Sequence, residues 1–217
     1  VATLTIKTKL LKQILEALTP AAASCLDESP TSFMETIHIT WDEDDKTVAF
    51  VTTDGFRAHI AQIKRSVVDA YDEGEIVIGA DFLAHSILLD NADDDSDESI
   101  VITATNSHTK WTVETSDPSD GVAETDIFTI PNWPDMHRLI SDEVVADEEV
   151  GFNLDYFHDA FDAFDSWHDP VDEDGAMVPL RVHALQRKRV NHFSMKSEAG
   201  TLRVLLMPII LKDSEWR

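Results

Sequence analysis

Three times along the chain a short stretch that alternates like a strand runs directly into one with helical spacing, and this repeated pair constrains the fold more than any other feature. In the first copy, Thr3-Leu4-Thr5-Ile6-Lys7 leads into a segment from Thr8 to Leu18 with Leu10, Leu11, Ile14, Leu15 and Leu18 on one stripe. Thr8 is placed to cap that helix and Pro20 to close it. The second copy is a strand over 75–80 and a helix over 81–89; the third is a strand over 149–154 and a helix over 155–164. Aligned, Leu10, Phe82 and Tyr156 coincide, as do Leu15, Ile87 and Phe161.

Extended stretches follow each helix. They cover 36–41 and 47–63 in the first copy, 99–104 and 110–116 in the second, and 179–185, 190–196 and 202–211 in the third. The last of these, which contains Leu205-Leu206-Met207-Pro208-Ile209, is apolar enough for a strand covered on both faces. Each unit is thus one strand, one helix and about three more strands, and one helix per unit leaves a sheet face to cover. The expected class is α+β: three strand-helix-strand units side by side in continuous antiparallel sheets, with the helices gathered on one face.

Composition narrows the function. Forty-two acids against 17 bases give a net charge of -25, so the surface as a whole does not attract nucleic acid or anionic lipid, and any polyanion contact must be local. The same acidity fits adaptation to high salt. Cys25 is the single cysteine, no signal-peptide pattern opens the sequence, and no apolar run approaches a membrane span. A cytoplasmic chain without membrane contact is expected.

Catalytic patterns are equally sparse. His158 and Asp162 stand four apart, with His168 and Asp169 following, but no HExxH, cysteine pair, calcium loop, GxSxG or glycine-rich phosphate loop accompanies them. No catalytic residue, metal site or cofactor is expected, and the chain is read as a non-enzyme.

Three segments carry a resemblance. Thr53-Asp54-Gly55-Phe56-Arg57-Ala58 resembles the Thr-Asp-Gly-His-Arg-Leu segment of the bacterial β sliding clamp, the ring that tethers a replicative polymerase to DNA. Trp133-Pro134-Asp135-Met136-His137-Arg138-Leu139-Ile140 resembles that family's Phe-Pro-Asp-Tyr-Arg-Arg-Val-Leu, and Leu205-Leu206-Met207-Pro208-Ile209 its Val-Val-Met-Pro-Met. The segment from Gly151 to Tyr156 is similar to the start of the family's last unit. On this resemblance residues 1–141 form a complete clamp-like domain of two units, about 1–70 and 73–141, and residues 142–217 a single half-domain unit. A first domain and half of the last have no counterpart, and a three-unit chain would close the family's ring as four copies, with a pair or an open arc as the alternatives.

The resemblance implies partners and sites. Double-stranded DNA would pass through a homo-oligomeric ring, and a polymerase or other replication protein would insert a short peptide into an outer groove. Loading would use a separate ATP-driven loader or assembly around DNA. The groove positions are Thr53, Gly55, Phe56, Arg57, Pro134, Arg138, Leu139, Leu205, Met207 and Pro208. Gly55 permits the tight turn, Phe56, Leu139, Leu205 and Met207 offer apolar wall, the prolines stiffen the floor, and Arg57 and Arg138 supply charge-assisted contacts. Phe56 and Ala58 depart from the family's His and Leu, which alters the pocket.

Phosphate contacts would come from Lys9 and Lys12 on the first helix and from Lys64, Arg65, Arg187, Lys188 and Arg189. The third helix opposes this, because Asp155, Asp159, Asp162 and Asp165 repel phosphate if it faces DNA. Two other readings stay open: a clamp-like module that sequesters clamp partners or mimics DNA without encircling it, and an unrelated protein adapted to salt.

Overall fold

The first strand-helix pair forms as its periodicity requires, with β1 at Thr3–Lys7 and α1 at Thr8–Leu18. The computed structural model describes residues 2–23, 32–42, 46–71, 73–84, 98–104, 110–115, 122–126, 133–134, 152–167, 180–183 and 190–208. Within them follow β2 (Thr36–Trp41), β3 (Thr47–Thr53), β4 (Arg57–Lys64), β5 (Val68–Ala70), β6 (Gly74–Gly79), α2 (Ala80–Ala84), β7 (Ser99–Ala104), β8 (Lys110–Thr115) and β9 (Val122–Asp126). Unit 3 contributes α3 (Leu154–Trp167), β10 (Arg181–His183), β11 (Asn191–Lys196) and β12 (Gly200–Leu206).

Two antiparallel sheets result, one in the order β5-β1-β7-β8-β9 and the other β10-β11-β12-β4-β3-β2-β6. Units 1 and 2 exchange their leading strands. β1 of unit 1 pairs with β7 of unit 2, and β6 of unit 2 pairs with β2 of unit 1. Unit 3 then extends the larger sheet, because β12 pairs with β4 over seven residues from Gly200–Ile63 to Leu206–Arg57. This junction admits only glycine at position 200: a Cβ there would sit 2.0 Å from the Gln62 carbonyl oxygen.

The helices share one face of the seven-stranded sheet. α1 lies on β3 and β4 and also touches β1 and β7, α3 lies on β12 and against α1, and α2 covers β2 and β6. One core results, joining Leu11, Ile14 and Leu18 to Phe50, Ile63, Ile102, Trp167, Leu202 and Val204.

Several expectations are corrected. Thr8 is the first helical residue rather than the cap: the cap position is Lys7, which makes no side-chain capping bond, while the Thr8 hydroxyl and N–H both donate to the Glu98 carbonyl. Within the stretch 47–63, the tight turn expected at Gly55 separates two strands, β3 and β4. The third helix begins at Leu154, so the strand expected over 149–154 does not reach that far, and residues 149–151 lie outside the described residues. β12 is buried on its helix-side face at Leu202, Val204 and Leu206, but Thr201 and Arg203 on the other face are only half-buried. Coverage on both faces fails there because the helices all gather on one side.

Candidate partner-binding cleft

The cleft begins with a turn that Thr53 and Asp54 hold in place. Thr53 Oγ1 donates to the Arg57 carbonyl at 2.6 Å and accepts from the Gly55 N–H at 3.0 Å. Asp54 Oδ1 accepts from the N–H groups of Phe56 at 2.9 Å and Arg57 at 3.0 Å. Gly55 has φ +88°, a left-handed conformation that side chains with a Cβ disfavour.

Unit 3 supplies the opposite wall. Just past β12, the Met207 N–H donates to the Phe56 carbonyl at 2.9 Å, which carries the β4–β12 ladder one step further and sets the two exposed side chains beside each other. An open cleft forms there, lined by Thr53, Gly55, Phe56, Arg57, Ala58, Val190, Leu205 and Met207. Its floor belongs to a small apolar cluster on the sheet face away from the helices, made of Val51, Ala58, Ile60 and Leu205, with Trp133 and Val190 packed against it. Trp133 also stacks on His38 with centroids 4.9 Å apart, and His38 Nε2 meets Glu75 Oε1 at 2.7 Å.

Thus six sequence-derived positions, Thr53, Gly55, Phe56, Arg57, Leu205 and Met207, line one cleft. Pro208 follows Met207 directly, and Pro134 follows Trp133, which reaches the cleft's apolar floor. Arg138 and Leu139 lie outside the described residues. Ala58, whose small side chain was expected to alter the pocket, also lines it, and Val190 completes the lining unforeseen. The signal for Val190 was the register: Asn191 pairs with Leu206, so Val190 stands opposite Met207.

Arg57 requires a correction. Its guanidinium is engaged within the chain: Nε donates to Asp54 Oδ2 at 3.0 Å, Nη1 donates to Asp159 Oδ2, and the group lies 4.4 Å from the Tyr156 ring centroid. Asp159 and Tyr156 are on α3, so Arg57 ties the turn of unit 1 to the helix of unit 3 instead of presenting an unpaired charge to a peptide.

Beneath the turn, two side chains of the sheet satisfy carbonyls left open at the end of α1. Thr52 Oγ1 donates to Leu18 O at 2.7 Å, and His59 Nδ1 donates to Ala17 O at 2.6 Å. Burial away from water drives the His59 imidazole down to about 4; the Ala17 bond opposes that fall, Arg57 adds to it, and Asp159 and Asp54 oppose it.

The basic residues are dispersed. Lys9 is exposed on α1 and Lys12 is half-buried. Lys64 and Arg65 serve the fold: Lys64 Nζ donates to Glu198 O at 2.5 Å, and Arg65 donates to Asp42 O at 2.9 Å and Ala70 O at 2.5 Å. Both sit at the end of β4 remote from the cleft. Arg187, Lys188 and Arg189 lie outside the described residues. Among the described residues no three metal-ligating side chains converge, and no helix is long and apolar enough to cross a membrane.

Neither a protein-family model nor a curated protein matches the sequence. Solved structures do match. A DNA polymerase III beta subunit from Borrelia burgdorferi, solved with a natural product, superposes with a TM-score of 0.69 at 16% identity, over 97% of this chain and 63% of that one. A putative DNA polymerase III beta subunit from Eubacterium rectale gives 0.68 at 14% identity over 95% and 65%, and the beta subunit of Streptococcus pyogenes 0.66 at 16% over 95% and 65%. The fold is that of the bacterial sliding clamp. This chain spans about 65% of the length of the clamp subunits from Eubacterium rectale and Streptococcus pyogenes. In the clamp fold seen here, the cleft lies where the sheet passes from unit 1 to unit 3, between β4 and β12.

Proposed function

We propose that the chain is a clamp-type processivity factor: copies close a ring around duplex DNA, and the cleft beside Met207 holds a short apolar peptide of a polymerase or another replication protein. The observation that supports this reading is the cleft itself. Phe56 and Met207 are 61% and 47% exposed, and between them lies an apolar floor of the buried Ala58 and Leu205. The domain division proposed with it is a complete domain over 1–141 and a half-domain over 142–217. Lys9 and Lys12 on α1 are the proposed phosphate contacts, with Arg187, Lys188 and Arg189 as further candidates. Such a clamp performs no chemistry itself, and loading by a separate loader or by assembly around DNA belongs to the same proposal.

The test is topological. Circular duplex DNA should retain the protein in high salt and release it on linearisation, and retention indifferent to linearisation would overturn the ring. A second reading has its own support: Asp155, Asp162 and Asp165 of α3 are exposed and share the helix face with Lys9. They favour a module that captures clamp partners or mimics DNA, which binds polymerase peptides while retaining no DNA.

A further inference from the structure

Strand register decides where the charge of the cleft goes. Arg57 and Ala58 are neighbours on β4, and successive residues of a strand face opposite sides of the sheet. Ala58 stands opposite Leu205 and joins the apolar cluster beneath the cleft. Arg57 stands opposite Leu206, which belongs to the helix-side core, so the arginine side chain leaves the sheet on the side where α3 lies. There Nη1 donates to Asp159 Oδ2, while Nε donates to Asp54 Oδ2 and Tyr156 lies against the guanidinium.

Both carboxylates are held in place by other contacts. α3 is anchored by its buried Ala160, Ala163, Phe164 and Trp167, and Gln13 of α1 donates to the Trp167 carbonyl at 3.1 Å. Asp54 is committed to the turn, where its Oδ1 accepts from two N–H groups. Among the described residues that line the cleft, Arg57 is the only charged one. Its charge is compensated twice over, on a chain whose net charge of -25 further disfavours an anionic ligand.

We infer that Asp159 is a specificity-determining residue of the cleft: by holding the Arg57 guanidinium on the helix side it withholds that charge from the ligand, so the cleft selects peptides by their apolar side chains and gives acidic ones no advantage. The inference rests on the reading of the cleft as a peptide site and adds which peptides it prefers. Asp159 touches no ligand and acts through Arg57. Without it, the freed Nη1 is available to a peptide carboxylate, because Arg57 already lines the cleft and its planar fork suits that group. Specificity is a difference of two affinities, and here it is set from the far side of the sheet.

Calorimetry with two capped synthetic pentapeptides tests it, one carrying Leu and Phe anchors between neutral spacers, the other with Asp at one spacer. The wild type should bind the neutral peptide at least as tightly as the acidic one. In Asp159→Ala the ratio of acidic to neutral affinity should rise about threefold to fivefold at low salt and return to the wild-type ratio in molar salt. Asp159→Asn, which keeps the shape and loses the charge, should move the ratio the same way, and Asp159→Glu should restore it. Asp155→Ala removes an exposed acid one turn earlier on α3 and should leave the ratio unchanged, as should Asp159→Ala combined with Arg57→Ala. Damage to the fold weakens both peptides together, so the ratio isolates the role of Asp159; circular dichroism confirms that each chain is folded. A wild type that prefers the acidic peptide, an unchanged ratio in both Asp159→Ala and Asp159→Asn, or an equal rise in Asp155→Ala overturns the inference while the peptide reading stands. Failure of the folded wild type to bind either peptide overturns both.

Discussion

The guanidinium of Arg57 lies over the ring of Tyr156, 4.4 Å from its centroid, and joins the cleft turn of unit 1 to the helix of unit 3. With its bonds to Asp54 and Asp159 and only 11% of its side chain exposed, Arg57 couples its own turn to a helix 102 residues further along the chain. Asp159 is 35% exposed, so water moderates the pair. Arg57→Ala should lower stability by about 2 kcal/mol, and Arg57→Lys should recover less than half of it, because an ammonium cannot both fork and stack. Urea unfolding of both variants, with Asp159→Asn to complete a double-mutant cycle, measures the coupling.

His59 makes stability depend on pH. Its folded value, about 4, lies below the ordinary 6.5, so between these values the unfolded chain binds a proton that the folded chain refuses. Stability from this group is therefore full above about pH 6.5 and is lost as pH falls toward 4. From pH 7 to pH 5 the loss should be about 2 kcal/mol. His59→Asn keeps a donor for the Ala17 carbonyl and cannot titrate. Its urea midpoint should fall less than that of the wild type over this interval, and an equal fall would remove His59 as the cause.

Peptide capture should depend on the exposed cleft walls. Phe56→Ala or Met207→Ala is expected to weaken a clamp-type peptide bearing Leu or Phe anchors by about 1 to 3 kcal/mol while leaving the melting temperature close to wild type. Leu205→Ala differs, since Leu205 is 1% exposed within the outer-face cluster, and it should also cost about 2 to 4 kcal/mol of stability. Isothermal calorimetry beside thermal melts separates the two effects.

The two junction glycines should fail for different reasons. Gly55→Ala meets no crowding, as the nearest neighbour of an added Cβ is Met34 Sδ at 3.7 Å, and its cost of about 1 to 2 kcal/mol is conformational. Asn at this position should cost less. Gly200→Ala places a methyl against the Gln62 carbonyl and must part β12 from β4, so the destabilisation should exceed that of Gly55→Ala. Hydrogen exchange should then show the amides of the β4–β12 ladder unprotected while those of β7 and β8 stay protected.

The sequence by itself determined what depends on near neighbours. The stripe from Leu10 to Leu18 specified α1, alternation specified β1, extended composition marked β2 and β7, and Thr53-Asp54-Gly55 specified a bend whose bonds all close within four residues. The likeness of three remote motifs to the sliding clamp anticipated the fold and six residues of the cleft. Tertiary structure alone decided which side chains those motifs meet. Arg57 is claimed by Asp159 and Tyr156, Thr8 turns to Glu98 instead of capping its own helix, and Val190 enters the cleft through the β11–β12 register. Periodicity reports which face of an element is buried and is silent on what buries it. Partners a hundred residues apart are chosen by strand pairing and by the charge and shape of the surfaces that pairing brings together.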